Sequence, residues 1–332
     1  MIVLGIETSC DDTAAALFDG RKVLAETVST QLEHRDWGGV VPEIASRAHL
    51  RNILPVVETV LQDSGLRKSD IGAAGVTAGP GLAGALLVGL NFARGLTDSL
   101  KIPLIGVNHL QAHAWAAEIE DEPLPLPFIA LIVSGGHTSL VKVEDVKSYR
   151  VLGQTLDDAA GEVLDKVGRL LGLPYPAGAE IDRIAGDGDP KAVKLPRGMA
   201  SSGDLNFSFS GLKTAGRLFL EKNPEFTSGQ KRVDFIASLQ EAVVDSLSAK
   251  SVRALENEGI DTLVLGGGVS ANSRLRKKFS DLPGIKLRLT PLWWSTDNGA
   301  MIANLAYKIL HEGQACRGVS TVIPDLSIEE YF

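Results

Sequence analysis

The same succession of predicted strands, turns and helices occurs twice along this chain of 332 residues. In the first half an apolar run at residues 2–7 leads into a polar turn at 8–13, and strand-like segments follow at 14–18 and 23–28. The second half repeats this order at residues 128–133, 134–138, 140–143 and 149–154. Because short apolar runs separated by polar turns are typical of strands, each half predicts a hairpin meander.

A helix, a strand, a turn and another helix are predicted after each meander. In the first half the helices cover residues 42–63 and 82–100 around a strand at 73–77. In the second half a helix at 233–258 and a strand at 262–265 precede a helix from Ala271, and a last helix covers 298–311. The repeat predicts a duplicated α/β fold with two lobes and a central cleft. We place the lobes at residues 1–120 and 121–332, the second with an insertion at about 171–230 that is rich in Gly, Pro, Ser and Asp.

Composition narrows the class of protein. A hydrophobic fraction of 44% with 35 glycines suits a compact α/β protein. The longest apolar segment, residues 82–93, is shorter than a bilayer span, and the first residues carry no basic leader, so a cytoplasmic protein without membrane segments is expected. Two cysteines are too few for a disulfide framework, and a small buried thiol explains Cys10 more simply than a nucleophile does.

The net charge of −8 argues against a protein that binds nucleic acid through the electrostatic attraction of its net charge. Any RNA must therefore meet a local basic patch. The best candidate is a cluster of cations late in the chain, formed by Arg274, Arg276, Lys277 and Lys278 with Lys286 and Arg288 close behind. A solvated helix face explains the same cluster equally well.

His109 and His113 are four residues apart after an apolar segment, and Asp297 offers a carboxylate far down the chain. If a helix begins near His109, this spacing puts both imidazoles on one face, where a single divalent cation can bridge them. No Glu follows His109, so the general base of a His-Glu-x-x-His metalloprotease is missing.

Three glycine-rich turns are candidates for nucleotide binding. The first, Gly79-Pro80-Gly81-Leu82-Ala83-Gly84, matches a dinucleotide fingerprint, but the next strand ends in Asn108-His109 instead of an acidic residue, which disfavours a nicotinamide enzyme. The others are the turn at 134–138 and the turn at 266–272, which lies ahead of a predicted helix N-terminus. Asn272 there can equally be an ordinary helix cap. Three such turns in one chain favour nucleotide binding.

The carboxylates that stand out are Asp11, Asp12, Asp165, Asp182 and Asp297. Asp297 has the strongest case, because it precedes an apolar helix at the end of the second repeat. Residues 206–213 alternate Phe and Ser, which predicts a short strand, and Lys213 at its end can meet an anion or point to solvent.

Seven spaced motifs, at residues 5–13, 38–47, 77–82, 108–113, 133–138, 206–213 and 295–301, closely resemble the bacterial TsaD-type tRNA threonylcarbamoyltransferases, formerly labelled O-sialoglycoprotein endopeptidases. The resemblance runs nearly end to end. It implies the duplicated actin/Hsp70/acetate-kinase (ASKHA, ribonuclease H-like) fold. It also implies transfer of a threonylcarbamoyl group from threonylcarbamoyl-AMP to N6 of adenosine 37 in tRNAs that read codons beginning with A.

The resemblance further implies roles for individual residues. His109, His113 and Asp297 would hold one divalent metal, iron by the resemblance, although zinc also suits these ligands. Separately from the resemblance, we expect Asp11 to accept the proton of N6, because of its place in the first polar turn. The adenylate would be held by Ile132, Val133, Ser134, Gly135, Gly136, Asp165, Gly178, Asp182 and Asn272. Ala177 and Ala179 flank Gly178 where many members have glycine and proline, so the shape of this loop is expected to differ.

Expected partners are tRNA, threonylcarbamoyl-AMP made by a separate synthase, an inactive paralogous subunit of the TsaB type and a small P-loop ATPase of the TsaE type. An ATP-dependent small-molecule kinase or ATPase of the same fold is the main alternative, since three phosphate-type turns would suffice for it. A non-catalytic scaffold is a third possibility, against which the intact histidine pair and Asp297 speak. A metalloprotease is the weakest.

Overall fold

A computed structural model describes residues 1–199, 202–311 and 319–330. By its internal contacts the chain forms two compact units. Unit 1 comprises Met1–Leu124, Glu144–Tyr149 and Thr290–Phe332, and unit 2 comprises Pro125–Val143 and Arg150–Leu289. Among the described residues, no helix combines the length and apolarity needed to cross a membrane.

The sheet of unit 1 has the strand order β3-β2-β1-β4-β5. Its strands are β1 (Ile2–Glu7), β2 (Asp12–Phe18), β3 (Val23–Thr30), β4 (Ile71–Gly79) and β5 (Leu104–Asn108). The first three form the predicted antiparallel meander, and β1, β4 and β5 run parallel to one another. The carboxyl ends of these three parallel strands therefore meet at one edge of the sheet.

The second sheet repeats this design with the order β10-β9-β6-β7-β8. Its strands are β6 (Phe128–Val133), β7 (Thr138–Asp145), β8 (Ser148–Gln154), β9 (Thr262–Gly266) and β10 (Lys286–Leu289). Strand β6 is central, as β1 is in the first sheet. Strands β7 and β8 correspond to β2 and β3, and β9 and β10 correspond to β4 and β5. Strands β6, β9 and β10 are parallel. The duplication predicted from the sequence is confirmed.

The helices cover the sheets. They are α1 (Pro42–Ser64), α2 (Ala83–Leu100), α3 (His109–Trp115), α4 (Ala160–Leu170), α5 (Gly178–Ala185), α6 (Ser210–Lys222), α7 (Gly229–Glu258), α8 (Ser273–Ser280) and α9 (Gly299–His311). Helices α1, α2, α8 and α9 begin within two residues of their predicted starts, and α7 begins four residues earlier than predicted. Helix α4 and strand β10 were not predicted.

The segment at 206–213 corrects a prediction. Only Phe207 makes a strand-like bridge, to Thr155, and α6 begins at Ser210. The carboxylate of Asp157 accepts hydrogen bonds from the backbone N–H groups of Phe209 and Ser210 at 2.7 and 3.2 Å, so it acts as an anionic cap at this helix start. The alternating Phe/Ser pattern therefore belongs to a loop and a helix start in place of a strand.

Lys213 meets an anion within unit 2. Its ammonium lies 2.5 Å from the carboxylate of Asp158, which Lys166 approaches to 2.9 Å. This ionic contact ties α6 to the start of α4.

Candidate functional site

Helix α3 carries both histidines predicted to bind a metal. It begins directly after β5 because the side chain of Asn108 accepts hydrogen bonds from the backbone N–H groups of Leu110 and Gln111 at 3.0 and 3.3 Å. The i, i+4 spacing puts His109 and His113 on one face, with ring centroids 4.7 Å apart and the rings nearly perpendicular. Both imidazoles are buried.

Asp297 reaches the same point from the other end of unit 1. Asn298, which follows it, accepts a hydrogen bond from the Met301 N–H at 2.8 Å and so fixes the start of α9. Oδ1 of Asp297 lies 3.2 Å from Nε2 of His113 and 3.5 Å from Nε2 of His109. One ligand atom from each of the three residues lies within 4.8 Å of the others.

These spacings fit a metal ion. Ligands about 2.1 Å from a tetrahedral metal lie roughly 3.4 Å from each other, which the two Nε2–Oδ1 distances bracket. Nδ1 of His113 is buried without a hydrogen-bond partner among the described residues. Two imidazoles and a carboxylate form a donor set that suits zinc or divalent iron. The predicted ligands therefore come together in a geometry that can hold one cation.

A second carboxylate, that of Glu7, lies behind His109. Glu7 ends β1, is fully buried, and places Oε2 2.9 Å from Nδ1 of His109. The hydroxyl of Thr77 donates to the same oxygen at 2.6 Å, and the N–H of Ser9 donates to Oε1. Sequence reasoning missed Glu7, although a glutamate that ends an otherwise apolar strand was a usable signal.

The electrostatics of this cluster favour a positive charge. Burial opposes ionisation of Glu7, but the charge of His109 and hydrogen bonds from His109 and Thr77 hold its pKa below the ordinary value. Burial also disfavours charged His109, yet the charges of Asp297 and Glu7 outweigh it and raise its pKa to about 9. Burial, with the nearby charge of His109, lowers the pKa of His113. A proton on His109 thus balances two carboxylates, and a bound cation would replace that proton.

The predicted proton acceptor, Asp11, is half-buried in the turn after β1. Burial raises its pKa, and the negative charge of Asp297 adds to the shift. Its neighbour Asp12 is perturbed further: burial, with the charges of Asp297 and Asp11, raises the pKa of Asp12 to about 7, and Oδ1 is buried without a described partner. Burial also raises the pKa of the Cys10 thiol far above its usual range, which argues against a nucleophile, although Cys10 is half-buried and not the fully buried thiol predicted from the sequence.

In unit 2 the turns after β6 and β9 lie side by side. Ile132 pairs with Gly266 in the parallel register, and a Cβ on Gly267 would come within 2.5 Å of the Val133 carbonyl oxygen. In the turn at 134–138, the hydroxyl oxygen of Ser134 accepts the N–H groups of Gly136 and His137 at 3.3 and 3.1 Å. Ligands of parallel α/β sheets bind beyond the carboxyl ends of strands, where these two turns meet.

The remaining predicted adenylate residues connect the loops around these turns. Asp165 accepts the N–H of Ala177 at 2.7 Å, which fixes the approach to Gly178 at the start of α5. Asp182, on α5, accepts both the N–H and the hydroxyl of Ser273 at 2.9 Å. Next to it, Asn272 caps α8 through the N–H of Leu275 and donates to Gln240 at 2.8 Å. No Cβ contact restricts Gly178, so the flanking alanines leave open space there.

Two other motifs have structural explanations. Gly81 of the dinucleotide-like turn packs against Ser9, where a Cβ would lie 2.6 Å from its carbonyl oxygen, and Gly79 packs equally closely on Ile323. In the basic patch, Arg274 pairs with Glu241 at 2.6 Å and Lys278 with Asp245 at 2.9 Å. Lys286 pairs with Asp261 at 2.8 Å. With Lys277 3.2 Å from Asp281, four of the six cations of the patch are therefore paired within unit 2.

Comparison with known proteins identifies the family. The family model described as TsaD, tRNA N6-adenosine threonylcarbamoyltransferase, matches residues 22–304. The protein of that name from Pelobacter propionicus is 49% identical over 320 residues, covering 95% of this chain and 94% of its own length. The one from Trichlorobacter lovleyi is 50% identical over 308 residues, covering 91% and 90%. The chain belongs to this family.

Solved structures of more distant proteins support the same fold. Full-length HypF matches 95% of this chain and 47% of its own with a TM-score of 0.60 at 16% identity. Component A of the (R)-2-hydroxyglutaryl-CoA dehydratase of Acidaminococcus fermentans covers 95% of this chain and 100% of its own length, with a TM-score of 0.55 at 16% identity. The predicted ASKHA fold class and TsaD family are confirmed, and nothing favours the kinase alternative.

Proposed function

We propose that this TsaD-family chain moves the threonylcarbamoyl group of threonylcarbamoyl-AMP to N6 of adenosine 37 in tRNAs that read codons beginning with A. The identity of about half the residues to transferases of this name over nearly the whole chain carries the proposal. The cluster of His109, His113 and Asp297 supports it, because a scaffold protein would have no need to keep such a donor set together.

The reaction forms a bond between N6 and the carbonyl carbon of the donor. The bond from that carbon to the phosphate oxygen breaks, AMP leaves with the electron pair, and N6 releases a proton. An adenine amine is a weak nucleophile because its lone pair is delocalised, so accurate placement of both reactants is the main task of the protein.

We assign the cation to His109, His113 and Asp297, with iron first and zinc second. When bound, it supplies a positive charge that can neutralise an adenylate phosphate. We assign the adenylate to the loops of unit 2 described above, from Ile132 to Gly136 together with Asp165, Gly178, Asp182 and Asn272. Open space at Gly135, Gly136 and Gly178 supports this, because a ligand can approach the backbone closely at glycine.

Asp11 is our candidate for accepting the proton of N6. Burial makes its carboxylate more basic, as a general base requires. The variant Asp11→Ala should still bind adenylate but lose transfer by at least about 100-fold. Asp12→Asn is the matched comparison, because Asp12 is the adjacent carboxylate with a raised pKa. Normal turnover of Asp11→Ala, with loss in Asp12→Asn, would move the role to Asp12.

We expect the reaction in the cytoplasm, with an inactive TsaB-type paralogue and a small TsaE-type ATPase as partners and a separate synthase supplying the adenylate. An apolar groove of about 460 Å³ between α1 and α2 supports a protein partner on unit 1. Leu50 and Leu54 are strongly exposed along it. A paralogue of the same fold can present two equivalent helices, so Leu50→Glu should weaken co-purification with it and leave the metal content unchanged.

The decisive experiment supplies threonylcarbamoyl-AMP and unmodified tRNA to the purified chain, with and without the two partner subunits. Mass spectrometry of the digested tRNA should show the threonylcarbamoylated adenosine, and His113→Ala should abolish it. Absence of the modified nucleoside with both partners present would overturn the proposal, and consumption of added ATP by the purified chain alone would favour the kinase or ATPase alternative.

A further inference from the structure

Glu7 is a buried carboxylate that the steps above leave without a role. It is 0% exposed, and its two oxygens receive the Ser9 N–H, the Thr77 hydroxyl and Nδ1 of His109. Among the described residues its ion-pair partner is His109 alone, since no lysine or arginine pairs with it. Burying a carboxylate with so little compensating charge is costly, so its retention calls for a specific explanation.

The direction of the hydrogen bonds around Glu7 explains why a carboxylate is buried there. Ionised Glu7 has only acceptors, so Nδ1 of His109 must carry the proton between them, 2.9 Å from Oε2. Nε2, the atom that lies 3.5 Å from Oδ1 of Asp297, is then the nitrogen whose lone pair becomes available when a cation replaces the second proton of the ring. His113 has no such support, because its Nδ1 is without a described partner.

We infer that Glu7 is a positioning residue for the cation: it fixes the tautomer and ring orientation of His109 so that Nε2 points at the shared ligand position. Ligating histidines commonly donate their second ring N–H to a carboxylate, which orients the ring and increases its basicity as a ligand. Thr77, at the end of β4, and Ser9, in the turn after β1, hold Glu7 in turn. The inference rests on the cation site of the proposed function.

A purely structural role makes a different prediction. Glu7 also connects β1, β4 and the following turn, so its loss would lower stability whether or not it serves the cation. Thr77→Val is the matched control, because it removes a hydrogen bond to the same carboxylate and leaves the bond to His109. If Glu7 is only structural, both variants should change cation binding to the same small extent.

The test measures Zn²⁺ binding by competition with a chromophoric chelator, without tRNA or adenylate. Glu7→Gln should bind Zn²⁺ about 10- to 100-fold more weakly than wild type, and Thr77→Val within about threefold of it. Equal affinities for Glu7→Gln and wild type, at similar melting temperatures of the metal-free proteins, would overturn the inference. Because no transfer is measured, its failure and that of the transferase proposal are distinguishable.

The wild-type protein gives a second test that does not depend on a variant folding. In the Zn²⁺-loaded, ¹⁵N-histidine-labelled protein, long-range ¹H–¹⁵N spectra report which ring nitrogen of His109 carries the proton. A proton on Nδ1 is expected. A proton on Nε2, with zinc on Nδ1, would contradict the role of Glu7.

Discussion

At the scale of single residues, two acids that are shielded from solvent, Glu26 and Asp158, are matched with specific partners. Glu26, on β3, accepts the indole N–H of Trp294 at 2.9 Å and the N–H of Ala300 at 3.0 Å, so a half-buried acid anchors both ends of the segment that carries Asp297. The carboxylate of Asp158 in unit 2 forms ion pairs with Lys213 and Lys166 and accepts a hydrogen bond from the hydroxyl of Ser210. Because an unmatched buried charge is costly, each such residue should show a clear effect when replaced.

Asp158 gives a prediction about pH. Burial alone would raise the pKa of Asp158, but hydrogen bonds from Lys213, Ser210 and Lys166 outweigh it and hold the pKa well below its usual range. In the unfolded chain the carboxyl takes up its proton near pH 4, before it does so in the folded protein. Its stabilisation is therefore complete above that pH and is lost as the pH falls further.

Asp158→Asn should accordingly lower the free energy of unfolding at pH 7 by about 2 kcal/mol, and by less at pH 3. Scanning calorimetry at the two pH values measures the difference. Glu221→Gln is the control, since Glu221 forms only an exposed i, i+4 pair with Arg217 and should change little at either pH. A deficit for Asp158→Asn that grows toward pH 3 would contradict the assignment.

At the scale of elements, α9 determines where Asp297 lies. The helix packs on the sheet of unit 1 through glycines: a Cβ on Gly299 would lie 2.4 Å from the backbone of Ala15, and one on Gly5 would lie 2.2 Å from the carbonyl oxygen of Gly299. Such contacts with backbone atoms cannot relax by a side-chain rotation. The close approach therefore sets the start of the helix, and with it the carboxylate two residues earlier.

Gly299→Ala should lower the free energy of unfolding by about 3 kcal/mol, because the added methyl group overpacks this contact. Gly95→Ala is the matched control: Gly95 lies within α2, nothing lies within 4 Å of its ideal Cβ, and alanine there should stabilise by about 0.5–1 kcal/mol. Denaturant unfolding of both variants checks the pair. An unchanged midpoint for Gly299→Ala would show that α9 can shift away from the sheet.

The elements also show what a sequence pattern can predict. Helices α1, α2 and α7 are long and each is followed by a residue in the left-handed conformation, so their bounds followed from local signals. Strand β10 alternates cations and leucines over only four residues, which is too short a pattern to predict a strand, and it forms beside its parallel partner β9. The segment at 206–213 has a strand-like alternation, but the carboxylate of Asp157, 52 residues away, accepts the N–H of Phe209 and stabilises a helix start there.

At the scale of the whole molecule, the chain is acidic and much of its local positive charge is paired. Glu241 and Asp245 on α7 bind Arg274 and Lys278 of α8, and Arg197 also binds Asp245 at 2.8 Å. These cations cannot bind tRNA phosphates unless their ion pairs with Glu241 and Asp245 break. We therefore expect other surfaces or partner subunits to provide most of the phosphate contacts.

The double variant Arg274→Ala/Lys278→Ala should therefore leave the salt dependence of tRNA binding unchanged, with or without partners. A lost phosphate contact would instead reduce the slope of log K against log salt by about one unit each. Filter binding between low and moderate salt measures the slope. Lys277→Ala is the comparison, because Lys277 is exposed on the same helix with only a surface pair to Asp281. A reduced slope for the double variant alone would show that α8 contacts RNA.

The sequence by itself determined the repeated succession of elements along the chain, the family and the identity of the three metal-binding candidates. These follow from local periodicity, from turn chemistry and from motifs that are continuous in the chain. Only the tertiary structure decided that Asp297 meets the histidines at 3.2 and 3.5 Å and that Glu7 lies behind His109. Asp297 is 184 residues from His113, and Glu7 is 102 residues from His109, so the packing of α9 and the parallel pairing of β1, β4 and β5 bring them together.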